Sequence, residues 1–139
     1  MFLLDTNVLS ALMMMRPPPE IAAWVSGQSE NLLFTASVCQ AEVLAGVAIL
    51  PEGRRRAELE AAAQAMFAED FEGRVLPFDS FAAQDYADMN AARRRAGRPA
   101  AALDLMIAAI ARVNGASVVT RNVADFANCG VSIINPWAA

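Results

Sequence analysis

Phe2, Leu3 and Leu4 form a short unbroken apolar run, the pattern of a buried strand, stopped by Asp5, Thr6 and Asn7, all good helix-capping residues. A strand turning directly into a helix is expected there. Pro17, Pro18 and Pro19 end that helix, and a second short helix starting near Glu20 carries Trp24. The run from Leu32 to Thr35 reads as the next strand, and Ser37 starts a helix through Ile49 that Pro51 closes. Arginine, acidic residues and alanine mix at helical spacing from Arg54 to Ala68 and again from Ser80 to Ala96, predicting two amphipathic surface helices with a short strand, Arg74 to Pro77, between them. Pro99 is expected to open a helix through Val113. Ser117 to Thr120 and Val131 to Ile134 read as two last strands before Asn135, Pro136 and Trp137. Strands alternating with helices predict an α/β fold with three layers, α/β/α, around a central and mainly parallel sheet. In such folds the ligand site lies outside the carboxyl ends of the strands, where Asp5 and Asn122 fall.

Composition sharpens this picture. A chain of 139 residues is one domain long, and no repeat or linker divides it, so residues 1–139 are taken as a single domain. Apolar residues make up 56% of the chain, which calls for extensive burial or for a partner covering apolar surface. Charges interrupt every run that would otherwise cross a membrane, and the start MFLLD lacks the basic segment of a secretory signal, so a cytoplasmic, membrane-free protein is expected. Cys39 and Cys129 lack metal-binding spacing and are expected as buried apolar residues.

The net charge is −4, yet the 11 basic residues cluster: Arg54, Arg55 and Arg56 in one group, Arg93, Arg94, Arg95 and Arg98 in another. Such groups are either solvated helix faces or phosphate contacts. There is no histidine and no lysine. A Ser-His-Asp triad, a histidine acid–base pair, a phosphate-binding loop with its lysine and a Schiff base are therefore excluded. Catalysis is left to carboxylates, hydroxyls, arginine or a bound metal.

Three acids stand alone in apolar surroundings. Asp5 is the only charge between Met1 and Met15, Glu42 the only one between Asn31 and Pro51, and Asp104 the only one between Arg98 and Arg112. On a helix Glu42 shares its face with Val38, Cys39, Ala45 and Gly46, and Asp104 with Ala100, Ala101, Ile107 and Ala108. An ionised carboxylate in such a setting must be paired, protonated or bound to a metal, and no arginine is placed locally to pair with it. If the three converge, each pair about 5 Å apart repels by roughly 3 kcal/mol at an effective dielectric near 20. A divalent cation removes that conflict, and all-oxygen ligation favours Mg²⁺ or Mn²⁺. The alternative readings are structural: Asp5 as the cap of the first helix, and Asp104 as a complement to the dipole of its own helix.

Five segments are similar to PIN-domain nucleases, in particular the VapC-like and FitB-like toxins of bacterial toxin–antitoxin pairs. They are LLDTNVLS with Asp5, SVCQAEVLAGV with Glu42, LDLMIAAIA with Asp104, VVTRNVADF with Thr120, Asn122 and Asp125, and the terminal INPW, in the family's order over nearly the whole chain. The resemblance implies a PIN-like fold, a homodimer, and Mg²⁺- or Mn²⁺-dependent hydrolysis of RNA phosphodiesters. It implies Asp5, Glu42 and Asp104 as metal ligands, Thr120, Asn122 and Asp125 as support for a fourth corner, and Asn7 as the group orienting the first carboxylate or a water. Asn122 departs from the FitB-like pattern, which has an aspartate there, and one fewer negative ligand weakens a second metal. The resemblance further implies a cognate antitoxin laid across the pocket, and a toxin–antitoxin hetero-oligomer on operator DNA.

Two other readings meet these residues. A phosphatase of the haloacid dehalogenase type needs an aspartate two residues after the first and a downstream lysine, whereas this chain has Asn7 and no lysine. A module of the same fold that binds RNA, or DNA through a partner, without cutting it is the alternative to a nuclease, although all three principal acids are present.

Overall fold

The computed structural model describes residues 1–138; Ala139, the last residue of the expected domain, lies outside the described residues. The apolar run at the N-terminus forms β1 (Phe2–Leu4), and the chain enters α1 (Thr6–Leu12) with Asp5 as its N-cap. Contrary to expectation α1 already stops at Leu12, ahead of Pro17, and the prolines instead start α2 (Pro19–Ser26), because proline at the first helical position gives up no hydrogen bond. A 3₁₀ turn (Glu30–Leu32) leads into β2 (Leu33–Ala36), followed without a break by α3 (Ser37–Ala48). Then come α4 (Arg54–Ala65), β3 (Val75–Leu76), α5 (Ser80–Arg95), α6 (Ala102–Asn114), β4 (Ser117–Val119), a 3₁₀ turn (Val123–Phe126) and β5 (Ile133–Ile134).

Two boundaries differ from expectation in kind. The helix read from Arg54 to Ala68 gives way after Ala65 to a π-helical turn, Met66–Asp70, which seats Met66 and Phe67 in the core. The helix expected to open at Pro99 starts at Ala102 instead, because Ala101 is extended (φ −61°, ψ 139°). Asp104 consequently sits in the first turn of α6, where its negative charge complements the helix N-terminus.

All the strands pair in parallel in one five-stranded sheet of order β3-β2-β1-β4-β5. From β1 the chain winds outward through β2 to β3, then returns to the other side of β1 to make β4 and β5. Right-handed crossovers therefore place α1 to α4 on one face and α5 with α6 on the other. The expected three-layer α/β/α arrangement follows. Leu3, Leu4, Val118 and Val119 are fully buried in the two middle strands, and α6 buries Leu105, Ile107, Ala108, Ala109, Ile110 and Ala111. Much of the high apolar content is spent here. Cys39 and Cys129 are both buried and free, as expected. No helix among the described residues is long and apolar enough to cross a membrane.

The winding direction reverses at β1, so connections leave the carboxyl ends of β1 and β4 in opposite directions and open a crevice between them. The Asp5 N–H donates to the Val119 carbonyl at 3.0 Å and continues the β1–β4 ladder one residue past the strand. That bond sets Asp5 beside Thr120, at the mouth of the crevice.

A candidate acidic active site

The site is assembled from four stretches of chain, each delivering an acid for a local reason. Asp5 follows β1, Glu42 lies on the middle of α3, Asp104 on the first turn of α6, and Asp125 in the 3₁₀ turn after β4. Asp5 is the centre. It is 4% exposed, and its carboxylate is one of few polar groups in the core. One oxygen accepts from the Thr6 N–H at 2.8 Å and from the Cys39 thiol at 3.9 Å. The other accepts from the Thr120 hydroxyl at 2.8 Å and from the Asn7 amide at 3.3 Å. The capping and site readings of Asp5 are therefore both realised in one carboxylate.

A network fixes these donors in turn. The Thr120 hydroxyl accepts from Asn7 Nδ2 and from the Asn122 N–H, both at 3.0 Å, and Asn7 Oδ1 accepts from the Arg121 N–H at 3.2 Å. Asn122 thus joins through its backbone, and its residue is exposed. Glu42 is tied to the same centre, because the Thr6 hydroxyl donates to Glu42 Oε1 at 2.8 Å. Thr6 was visible in the sequence only as a capping residue; its hydroxyl turns out to bridge the first two acids. Cys39, one turn before Glu42 on the same face of α3, lies directly under Asp5.

Mutual charge is felt across the cluster. Burial is the largest influence raising the pKa of Asp5, opposed by the Thr120 and Thr6 hydrogen bonds, and Glu42 and Asp125 raise it further. Asp104 is pushed up to about 6, first by burial, then by Asp125, Asp5 and Glu42. All three acids singled out in the sequence therefore lie within reach of one another's charge, with Asp125 as a fourth. Burial, then the Asp5 charge, pushes the Cys39 thiol up to about 12, which leaves it a neutral donor rather than a nucleophile. The ion pairs among the described residues, Arg54–Glu58, Arg56–Glu60, Arg74–Glu30 and Arg112–Asp85, include none of the four cluster acids.

Whether such a site suits a divalent cation is a matter of donor chemistry. The donors are carboxylate oxygens with no nitrogen among them, which suits a hard ion. Among the described residues no three side chains of cysteine, aspartate or glutamate are grouped tightly enough to enclose one ion. Mg²⁺ does not need that: it keeps several waters and is commonly held through one or two carboxylates. The uncompensated charge and the oxygen-only donors fit Mg²⁺ or Mn²⁺.

A family model, "PIN domain", matches residues 2–130. The chain is 36% identical to the VapC ribonuclease Y4jK of Sinorhizobium fredii, covering 99% of this chain and 98% of that one. It is 33% identical to toxin FitB of Neisseria gonorrhoeae, with 99% of each chain covered. The solved structure of FitAB bound to an IR36 DNA fragment superposes with a TM-score of 0.91 at 33% identity, over 99% of this chain and 96% of that one. Sheet order, acidic crevice and these matches agree: the chain belongs to the PIN domain family, alongside the VapC and FitB proteins.

Proposed function

We propose that this protein is a Mg²⁺- or Mn²⁺-dependent endoribonuclease acting as the toxin of a toxin–antitoxin pair. The observation that carries the reading is the convergence of Asp5, Glu42, Asp104 and Asp125 on one crevice without a cation of the protein's own among them. Its relatives, a VapC ribonuclease and the toxin FitB, support the substrate class and the role.

Asp5, Glu42 and Asp104 would hold the ion, one or two of them directly and the rest through its bound waters, with Asp125 and Thr120 on the fourth side of the crevice. When bound, such an ion acidifies water and offsets the charge developing on a phosphoryl oxygen. The chain's own contribution is preorganisation. Thr120, Asn7 and the Thr6 N–H hold the Asp5 carboxylate in one orientation, and the Thr6 hydroxyl holds Glu42 relative to it. Neither carboxylate has to reorganise as charge builds up.

A partner reading accompanies the activity. A groove of about 820 Å³ opens beside the acids, lined by Thr6 and Glu42 at one end and by Met13, Met14, Met15 and Leu59 along it. Met15 is 98% exposed and Met14 58%, an apolar strip suited to cover by the cognate antitoxin. The related FitAB structure is bound to a DNA fragment, which supports a DNA-bound toxin–antitoxin assembly for this chain also; a homodimer at its centre is part of the proposal.

The purified chain is expected to cut RNA in Mg²⁺ or Mn²⁺ and to stop in EDTA. Asp5→Asn should lower the rate by about 100-fold or more, the scale of losing one electrostatic element of a site, while leaving the fold intact by circular dichroism. Cutting by Asp5→Asn at the parent's rate would overturn the assignment.

A further inference from the structure

The acidic crevice poses a problem for any polyanionic substrate, since the protein is itself negative overall. Positive charge is nevertheless gathered next to the acids. The last turn of α5 carries Arg93, Arg94 and Arg95, and Arg98 follows just beyond the helix. A hollow of about 420 Å³ opens there, lined by Ala92, Arg93, Ala96, Arg98 and Asn128.

Helix-end electrostatics account for only part of this arrangement. Arginines in a last turn complement the helix dipole, but Arg98 lies beyond the helix. Arg93 is held by carbonyls, donating through Nε to Arg98 O at 2.7 Å and through Nη1 to Ala127 O. None of the four arginines has a carboxylate partner among the described residues. The contrast with the other cluster is direct, because Arg54 and Arg56 are each paired with a glutamate one turn on.

The hollow adjoins the acids through two links. Ala127, whose carbonyl receives Arg93, follows Asp125 by two residues, and the same carbonyl accepts from the Cys129 thiol at 3.7 Å. Cys129 lies within the fields of both Arg93 and Asp104. Asn128, at φ 61°, turns the chain so that it lines the hollow between these groups.

We infer that the hollow formed by Arg93, Arg98 and Asn128 binds a backbone phosphate of the RNA adjacent to the one presented to Asp5, Glu42 and Asp104. This rests on the nuclease reading for the identity of the polyanion. Arg93, fixed by its two carbonyls, orients the site; Arg98, exposed and unpaired, supplies the mobile positive charge. A contact to phosphate and not to a base makes the gain in affinity independent of sequence.

The test uses RNA binding by protein that cannot cut. Arg98→Ala is introduced into the Asp5→Asn chain, with Arg54→Ala as a control of equal charge change at an exposed, glutamate-paired arginine. Fluorescence anisotropy with labelled single-stranded RNAs of several sequences, over a range of salt, gives Kd and its salt slope. Arg98→Ala is expected to weaken binding about fivefold for every sequence and to flatten the salt slope by about 0.7, the loss of one single-strand phosphate contact; Arg54→Ala should do neither.

Equal Kd and slope for the two variants would overturn the phosphate site. A loss confined to one RNA sequence would overturn it too. Failure of the parent to cut RNA in Mn²⁺ sinks the nuclease reading by itself, and the Arg98 result still decides the phosphate site.

Discussion

At the residue scale the protein is organised around Asp5. A buried carboxylate is tolerable only where donors meet it, and here a backbone N–H, a hydroxyl and an amide do so. Asp104 has no such set, and its pKa near 6 records burial and three neighbouring acids. The sign of the consequence is fixed. An acid whose pKa is higher in the fold than in the unfolded chain adds stability that is fully present below about pH 4, its unfolded value, and lost as pH rises through about 6. In metal-free buffer Asp104 should therefore lower the melting temperature as pH climbs from 4 to 7, and Asp104→Asn should flatten that part of the curve. A flattened curve in the parent would remove Asp104 from the cluster. Metal affinity should move the opposite way and rise through the same window, because a carboxylate must lose its proton to bind the ion.

At the element scale the site depends on where short strands and helices stop. The end of β1, the first turn of α6 and the turn after β4 deliver acids because the backbone changes course there. Legibility in the sequence varied accordingly. The end of β1 was plain, since an apolar run meets Asp-Thr-Asn. The start of α6 was not: Pro99 marks a permissible helix start, but Ala101 caps the helix without a side-chain bond, so tertiary packing chose the boundary. The π-helical turn at Met66–Asp70 was equally hidden, because its reward is the burial of Met66 and Phe67 and not any local preference. The far end of α6 shows the reverse case. Gly115 closes it at φ 67° with its N–H bonded back to Ala111 and Arg112, a conformation in which glycine alone is unstrained. Gly115→Ala meets no atom within 4 Å, so its cost should be backbone strain alone, about 1 kcal/mol. Thermal unfolding should show a midpoint about 3–5 °C lower with RNA cutting unchanged.

At the scale of the whole molecule, one all-parallel sheet with a reversal at β1 creates the crevice, and the apolar excess divides between a core that includes the buried face of α6 and the exposed methionines beside Glu42. The groove that carries Met13–Met15 also reaches Thr6 and Glu42, so on the proposed reading a partner covering the methionines would cover that side of the acid cluster too. Produced in bacterial cells without its cognate antitoxin, the protein should arrest growth, while Asp5→Asn should not; arrest by both in equal measure would separate toxicity from the acidic site.

The sequence by itself determined the alternation of strands and helices, the burial of both cysteines, and which acids stand apart, since period and isolated charge are properties of the chain read in one dimension. Only the tertiary structure decided that Thr6 joins Asp5 to Glu42, that Asn122 enters the network through its backbone, that the charge of Asp125 reaches Asp104, and that Arg54 and Arg56 are paired with glutamates while the arginines from Arg93 to Arg98 carry no such pair among the described residues. Those are distances between segments far apart in the chain, set by strand order and crossover handedness, and no local pattern encodes them.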